Sequence, residues 1–525
     1  MKRLEADVVV IGGGSTGVGV VRDAAMRGYR AVLVERVDLG QGTTGRFHGL
    51  LHSGGRYVVS DPGSATECAE ENAIMRRIQA DAVEDTGGFF VTLADDDPGY
   101  ADQFLAGAAA TGVPATEIPV AEALRREPRL DPRIKRAIEV QDGSVDGWQL
   151  VWGAARSAMA YGAKVLTYHR VTKIERDGDR VAAVLCRDEK AGEDVRIDCS
   201  FVLNCAGPWA GQVAAMAGAH AVEVVPGRGI MIAMNHRIVN TVINRCVYPT
   251  DGDILVPVHT VSVIGTTDVH ENDPDHMPIP RDEVQEMLDA GESMIPGFRK
   301  ARPLHAWSGS RPLIKDHRVS VDDTRHMSRG MAVIDHETRD GLFGMLTIGG
   351  GKLTTYRLMA EHIVDAMGHQ LSESRPCRTA EEVVPGSEDK RLYAVTHRLA
   401  DREEDRLADP IICECELMSR SMFVRALHEQ PDATLDDLRR QLRLGMGPCQ
   451  GGFCAARAAG LACSEKVADA ERASGLLRLF LKHRWIGLWP ILYGQQVRQT
   501  ALDHWIFAGT LDVEHLPQPE EEVLR

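Results

Sequence analysis

A chain of 525 residues exceeds what one hydrophobic core accommodates, so roughly two to four domains are expected. With 44% hydrophobic and 26% charged residues it has the make-up of a soluble globular protein, and no apolar run reaches membrane-spanning length. A net charge of −16 opposes nucleic-acid binding, because the phosphates would be repelled, yet leaves room for a small phosphorylated substrate in a locally basic pocket. Met1-Lys2-Arg3-Leu4 leads directly into an apolar strand without a secretory signal, so a cytoplasmic location is expected.

The first predicted elements are a strand at 8–11, a glycine-rich turn Gly12-Gly13-Gly14-Ser15-Thr16-Gly17, a helix, and a second strand Val32-Leu33-Val34 closed by Glu35. An unbroken apolar run is the mark of a parallel strand covered on both faces. Gly12 permits the tight turn, Gly14 lets backbone approach a pyrophosphate, and Gly17 lets the helix pack closely on the strand. The pyrophosphate would rest on the free N–H groups at the helix start, and Val18, Val21 and Ala25 recur at the spacing of a face laid on a sheet. Glu35 stands where a carboxylate accepts from ribose hydroxyls. Strand, turn, helix and acid agree on one task, the holding of an adenine dinucleotide.

Further along, small residues at 42–45 and 53–55 admit backbone close to a flat ring system. Residues 164–204 read as short strands about a turn at Glu175-Arg176-Asp177-Gly178-Asp179, ending in Phe201-Val202-Leu203-Asn204-Cys205-Ala206-Gly207, which returns to the dinucleotide sheet. Residues 220–340 are strand-rich with a helical insert near 281–295, where a substrate cap is expected. A last strand, Leu346-Thr347-Ile348, meets Gly349-Gly350-Gly351-Lys352 and a helix over 353–368, a second anion-accepting helix start. Gly386-Ser387-Glu388-Asp389-Lys390 and the run Asp401 to Asp409 read as a linker and solvated helix.

Of eleven cysteines, seven are scattered among apolar neighbours and suit buried thiols. Cys413, Cys415, Cys449 and Cys454 cluster, with a helical segment Leu435 to Leu442 and a turn Gly445-Met446-Gly447-Pro448 between the pairs. In reducing cytosol four such thiols point to a metal centre, either a 2Fe–2S cluster or a tetrahedral zinc. The tail after them carries Leu476, Leu477, Phe480, Trp485, Ile486, Trp489, Trp505 and Phe507, interrupted by Lys482-His483-Arg484. That pattern suits a helical cap on the cysteine module or a docking face for partners.

Several segments carry a family resemblance: Gly42-Thr43-Thr44-Gly45-Arg46, Gly49-Leu50-Leu51-His52-Ser53-Gly54-Gly55-Arg56-Tyr57, Asp251-Gly252-Asp253-Ile254-Leu255-Val256-Pro257, Ile264-Gly265-Thr266-Thr267-Asp268, Trp307-Ser308-Gly309-Ser310-Arg311-Pro312-Leu313 and Gly350-Gly351-Lys352-Leu353-Thr354-Thr355-Tyr356-Arg357. The chain resembles the FAD-dependent glycerol-3-phosphate dehydrogenases of the D-amino-acid-oxidase-like flavoproteins, in particular the catalytic subunits of their anaerobic branch. The resemblance implies an α/β, Rossmann-type FAD-binding fold with an interleaved antiparallel-sheet substrate domain and a small, mainly helical iron–sulfur module. The expected division is 1–375 for the oxidoreductase (FAD parts 1–90, 164–215 and 340–375; cap mainly 90–163 and 216–339), 376–409 for a linker, 410–465 for the 2Fe–2S domain and 466–525 for the tail. The Cys413, Cys415, Cys449 and Cys454 arrangement is similar to bacterioferritin-associated-ferredoxin-like 2Fe–2S domains.

FAD contacts are expected from Gly12, Gly14, Ser15, Thr16, Gly17, Glu35, Arg36, Gly42, Thr43, Thr44, Arg46, Leu51, His52, Ser53, Val171, Ala206, Gly207, Gly350, Gly351, Lys352, Leu353 and Thr354. Arg56, Tyr57, His52, Arg311 and Lys352 are the expected catalytic and substrate residues, arginine being suited to a dianionic phosphate. The implied reaction is removal of the C2 hydrogen of sn-glycerol 3-phosphate as hydride to flavin N5, giving dihydroxyacetone phosphate. The alternative is oxidation of another small hydroxy or amino acid, since one carboxylate suits the same arginine pair. The aerobic branch carries a histidine in a Gly-Ser-His-Ile-type segment where this chain has Pro226-Gly227-Arg228-Gly229-Ile230, which leaves His52 as the candidate base or a flavin contact. The resemblance further implies B- and C-type partner subunits, delivery of electrons to quinone, and a peripheral position on the inner face of the cell membrane.

Overall fold

The computed structural model describes residues 1–220, 222–315, 330–388, 395–404 and 408–517. Asp389 and Lys390 of the expected linker, residues 405–407 of the acidic run and the tail beyond residue 517 lie outside them.

The apolar runs Val8–Ile11 and Ala31–Val34 are strands buried along their whole length. They sit in a six-stranded sheet ordered 164–166, 31–34, 8–11, 201–204, 345–350, 331–335, parallel except at the last strand. Phe201–Asn204 thus does return the chain beside the first strand, as its apolar run and Ala-Gly ending suggest. Helices Ser15–Met26 and Tyr356–Gln370 cover the sheet, with Val18, Val21, Ala25, Tyr356, Ala360 and Ile363 in one core. The stretch 90–163 divides between layers. Its helix Gly147–Ala160 buries Leu150, Val151, Ala154 and Ala158 in this same core, away from the cap sheet. A separate sheet, ordered 2–5, 193–198, 180–188, 169–177, contains the hairpin turned at Gly178.

The cap is a nine-stranded mixed sheet drawn from 88–140 and 224–314, its longest pairing being Val224–Met234 against Pro303–Ile314. The helical insert is Arg281–Met294, which buries Val284, Met287 and Leu288 on the cap core.

Residues 376–388 lie against the first domain: Val384 is fully buried, and Arg22 of the first helix donates to the carbonyls of Thr379 and Glu382. The C-terminal part builds one core from both the cysteine region and the tail, since Ile412, Phe423 and Leu438 pack with Leu476, Leu477, Phe480, Phe507 and Val513. Helix Leu435–Leu442 occupies the segment read as helical and begins with a capping box from Thr434 and Asp437. Buried ion pairs dock this module on the flavoprotein body: Arg440 on Asp38 at 2.9 Å, and Arg443 on Asp146 at 3.2 Å and Glu416 at 3.0 Å. Among the described residues no helix is long and apolar enough to cross a membrane.

Candidate active site and cofactor cleft

A cavity of about 1250 Å³ runs from the first glycine turn to the inner face of the cap. Its wall includes Gly12, Gly14, Ser15, Thr16, Glu35, Arg36, Gly42, Thr43, Thr44, Arg46, His52, Arg56, Tyr57, Val171, Ala206, Gly207, Arg311, Gly350, Gly351, Lys352 and Leu353. Gly17, Leu51, Ser53 and Thr354 are not on the wall; they hold it in shape. A Cβ on Gly17 would stand 1.8 Å from the Gly12 carbonyl oxygen, so this position sets the distance between strand and helix. Thr354 Oγ1 accepts the His52 N–H at 3.2 Å, and Ser53 N–H donates to Asp142 at 2.8 Å, which anchors the 50–57 loop. Leu51 is fully buried.

The nucleotide end fits a dinucleotide. Gly14 leads into helix Ser15–Met26 without a side-chain cap, and no acid stands in the first turn, so the positive helix start is open to an anion. Thr44 Oγ1 takes one of those N–H groups, that of Ser15, at 2.9 Å. The Glu35 carboxylate accepts from Gly13 N–H at 2.7 Å and Val37 N–H at 3.0 Å, and burial raises its pKa against those bonds. Glu35 therefore braces the glycine turn as well as facing the ribose position.

At the other end the recurring segments meet in pairs. Arg56 Nη1 donates to Asp253 Oδ2 at 2.8 Å, linking the 49–57 and 251–257 segments. Asp253 is 1% exposed and holds the Arg56 pKa up although burial opposes the charge. Arg311 Nη1 reaches Asp268 at 3.0 Å and the Gly227 carbonyl at 3.3 Å, while Nη2 reaches Thr266 Oγ1 at 3.1 Å and the Thr267 carbonyl at 2.8 Å. The two arginines thus differ: Arg311 spends both terminal nitrogens on the cap, whereas Arg56 is tethered through one. Lys352 Nζ lies 4.9 Å from the centre of the Tyr57 ring, and the His52 ring lies 5.5 Å from it, so His52, Tyr57 and Lys352 converge.

Gly229, standing where the aerobic branch has histidine, has no space for a side chain. A Cβ there would come 2.2 Å from Thr266 Oγ1 and 2.7 Å from Arg311 Nη2. The Arg311 guanidinium occupies the volume instead.

The sequence reading missed His48. Its Nδ1 accepts the Leu50 N–H at 3.2 Å, so the neutral ring carries its proton on Nε2, and it lines the cavity. Burial, then the charges of Arg56 and Arg311, lower its pKa to about 3. Asp253 and Asp268 were also unassigned, although both lie inside recognisable segments; pairing across 197 and 43 residues leaves no local pattern. The wall carries six fixed cations (Arg36, Arg46, Arg56, Arg170, Arg311, Lys352) against Glu35, Asp61, Asp268 and Asp275, inside a chain of net charge −16. Such local reversal of sign suits an anionic ligand.

The four clustered cysteines come together in the C-terminal module, away from the cavity wall. Their thiols form a chain of contacts from Cys413 to Cys454, to Cys449 and to Cys415. Backbone N–H groups of Glu416 and Gly445 point at Cys413 sulfur, and those of Gly451 and Phe453 at Cys449 sulfur. Among the described residues no group of three or more His, Cys, Asp or Glu side chains is arranged to hold a metal ion.

Comparison with known proteins supports the cofactor. Residues 7–366 match the FAD dependent oxidoreductase (DAO) family. The chain is 40% identical over 532 residues to the A subunit of the anaerobic glycerol-3-phosphate dehydrogenase of Escherichia coli K12, covering 97% of both chains. It is also 40% identical to the A1 subunit of the Haloferax volcanii enzyme of the same name, over 97% of this chain and 91% of that one. The FAD-complexed glycerol-3-phosphate dehydrogenase of Bacillus halodurans, at 21% identity, shares the fold with a TM-score of 0.62 over 99% of this chain and 92% of that one. By its matched domain and its near end-to-end similarity, the chain belongs to the FAD dependent oxidoreductase family and, within it, to the anaerobic glycerol-3-phosphate dehydrogenase A subunits.

Proposed function

We propose that this chain oxidises sn-glycerol 3-phosphate to dihydroxyacetone phosphate with bound FAD and passes the electrons through a 2Fe–2S cluster and partner subunits to quinone. The observation that carries the reading is the cationic inner end of the cleft, where Arg56 and Arg311 are each fixed by a buried acid within the wall of one FAD-sized cavity. FAD, when bound, accepts the hydride from substrate C2. The protein does the rest. Arg56 binds the phosphate through the N–H groups that Asp253 leaves it, and Arg311 adds fixed positive charge from the cap. Tyr57 and Lys352 position the glycerol backbone, and His52 takes the proton of the C2 hydroxyl. His48, neutral and donating through Nε2, adds a hydrogen bond to the anionic substrate.

Cys413, Cys415, Cys449 and Cys454 are the proposed cluster ligands, supported by their convergence and by the N–H groups aimed at two of the sulfurs, which stabilise bound thiolates. The A-type relatives support partner subunits of B and C type, and the proposed site of action is peripheral, at the inner face of the cell membrane. Steady-state turnover with a dye acceptor tests the substrate: rapid dye reduction with sn-glycerol 3-phosphate and none with glycerol, glycine or lactate supports the reading, and preference for an amino or hydroxy acid overturns it. Iron and acid-labile sulfide analysis tests the cluster; stoichiometric zinc without iron would remove the relay.

A further inference from the structure

The helices that follow the cysteines present a surface unlike the rest of the chain. Trp485, Ile486, Trp489 and Trp505 are 43%, 62%, 67% and 66% exposed. The Trp485 and Trp489 rings are 6.0 Å apart. A buried pair, Arg484 to Asp503 at 2.6 Å, pins helix Ala470–Leu488 to helix Gln495–His504, so Trp485 and Trp505 lie at one junction beside the two pinned residues. Single exposed apolar residues need no explanation, but three tryptophans and an isoleucine at one helix junction do.

The charge around them is one-sided. From Arg472 to Leu511 the only acid is Asp503, and it is buried against Arg484, while Lys482 and Arg498 stand exposed. In a chain of net charge −16 this is a local inversion of sign. Bulky indoles beside cationic stems, without an exposed carboxylate, make the composition of a surface that lies in the headgroup region of a bilayer. Elsewhere an acidic chain is repelled by anionic lipid, so attraction confined to one face also fixes orientation.

We propose that the face formed by Trp485, Ile486, Trp489 and Trp505 with Lys482 and Arg498 docks directly on an anionic lipid bilayer. The same junction borders the cysteine loop: a Cβ on Gly452 would stand 2.9 Å from Asp503 Oδ1, and the adjoining Phe453 is 49% exposed. Docking therefore brings the Cys449–Cys454 loop to the bilayer, where quinones dissolve. Only this last consequence rests on the relay proposed above; the docking itself does not.

The test uses the full-length, FAD-loaded chain and vesicles of phosphatidylcholine alone or mixed with phosphatidylglycerol. Sedimentation with the mixed vesicles only, weakened at about 0.5 M salt, is expected. Brominated acyl chains should quench tryptophan fluorescence of the unaltered protein. Replacing Trp485, Trp489 and Trp505 by Ala should lower the partition coefficient at least about tenfold, and K482E with R498E should abolish binding, both leaving the flavin spectrum and dye-coupled turnover unchanged. Absence of binding by the unaltered chain, equal binding to neutral vesicles, or a triple variant that partitions like the parent would each overturn the proposal. A dimer that dissociates in the triple variant, with no vesicle binding, would assign the face to a second copy and overturn it likewise.

Discussion

Replacing Asp253 by Asn probes the phosphate end of the cleft without removing any residue that would touch substrate. Asp253 is 1% exposed, and its Oδ2 accepts from Arg56 Nη1 at 2.8 Å and from Thr250 N–H at 2.8 Å. Asn keeps the shape and an acceptor for Thr250 but loses the charge that orients the guanidinium. Arg56 remains protonated, because a guanidinium does not lose its proton in this range. A hydrogen bond between charged groups in such a setting is worth about 1.5–3 kcal/mol. If that interaction is what holds Arg56 on the phosphate, kcat/KM for sn-glycerol 3-phosphate falls about 10- to 150-fold. Anaerobic single-turnover flavin reduction, titrated with substrate, separates binding from chemistry, and FAD content serves as the control. The expected result is a raised apparent dissociation constant with normal FAD loading. An unchanged or tighter constant, or a loss of FAD in step with activity, would refute the assignment of Arg56 as the phosphate ligand.

Three further expectations come from the packing. Gly17→Ala drives a Cβ to 1.8 Å from the Gly12 carbonyl oxygen, so purified protein should retain less than about a tenth of its FAD, as read from the flavin absorbance. His48→Gln should flatten the acid limb of stability. The native ring stays neutral down to about pH 3 whereas the unfolded one protonates below 6.5, so its contribution is present above 6.5 and is lost on acidification by about 1.4 kcal/mol per pH unit, a slope that denaturant titrations at pH 4 to 7 should show reduced by that amount in the variant. Arg443→Met strips the buried carboxylates of Asp146 and Glu416 of their cation and should cost about 3–5 kcal/mol. Although burial pushes the Asp146 pKa up, its bond to His259 and the Arg443 charge hold it below the usual range. Without Arg443 it titrates higher, so the deficit should shrink as pH falls from 7 to 5, and a pH-independent deficit in thermal melts would contradict this.

The dinucleotide half was legible because its signals are local. An apolar run, a glycine turn, amphipathic spacing and a terminal acid fall within thirty-odd residues, and Val8–Ile11, Ser15–Met26 and Ala31–Val34 formed where those signals stood. The helix at Leu435–Leu442 and the hairpin turned at Gly178 were readable for the same reason. What lay hidden depends on distance along the chain. The hold of Asp253 on Arg56 and of Asp268 on Arg311 is made by sheet register in the cap, which no periodicity encodes. His48 was overlooked because four residues later His52 carried the family signal, and only the folded loop shows both rings in one wall, 6.1 Å apart. Helix Gly147–Ala160 has the apolar stripe of any core helix, so its allegiance to the dinucleotide sheet over the cap became visible only through its neighbours, Val18 to Ala25.

The most direct test of the account is an anaerobic visible spectrum of the purified chain before and after addition of sn-glycerol 3-phosphate. Bleaching of the flavin bands by this substrate, with no change on adding glycerol or amino acids, is the predicted result. A normal flavin spectrum that ignores sn-glycerol 3-phosphate would leave the fold and the cofactor in place and contradict the proposed reaction.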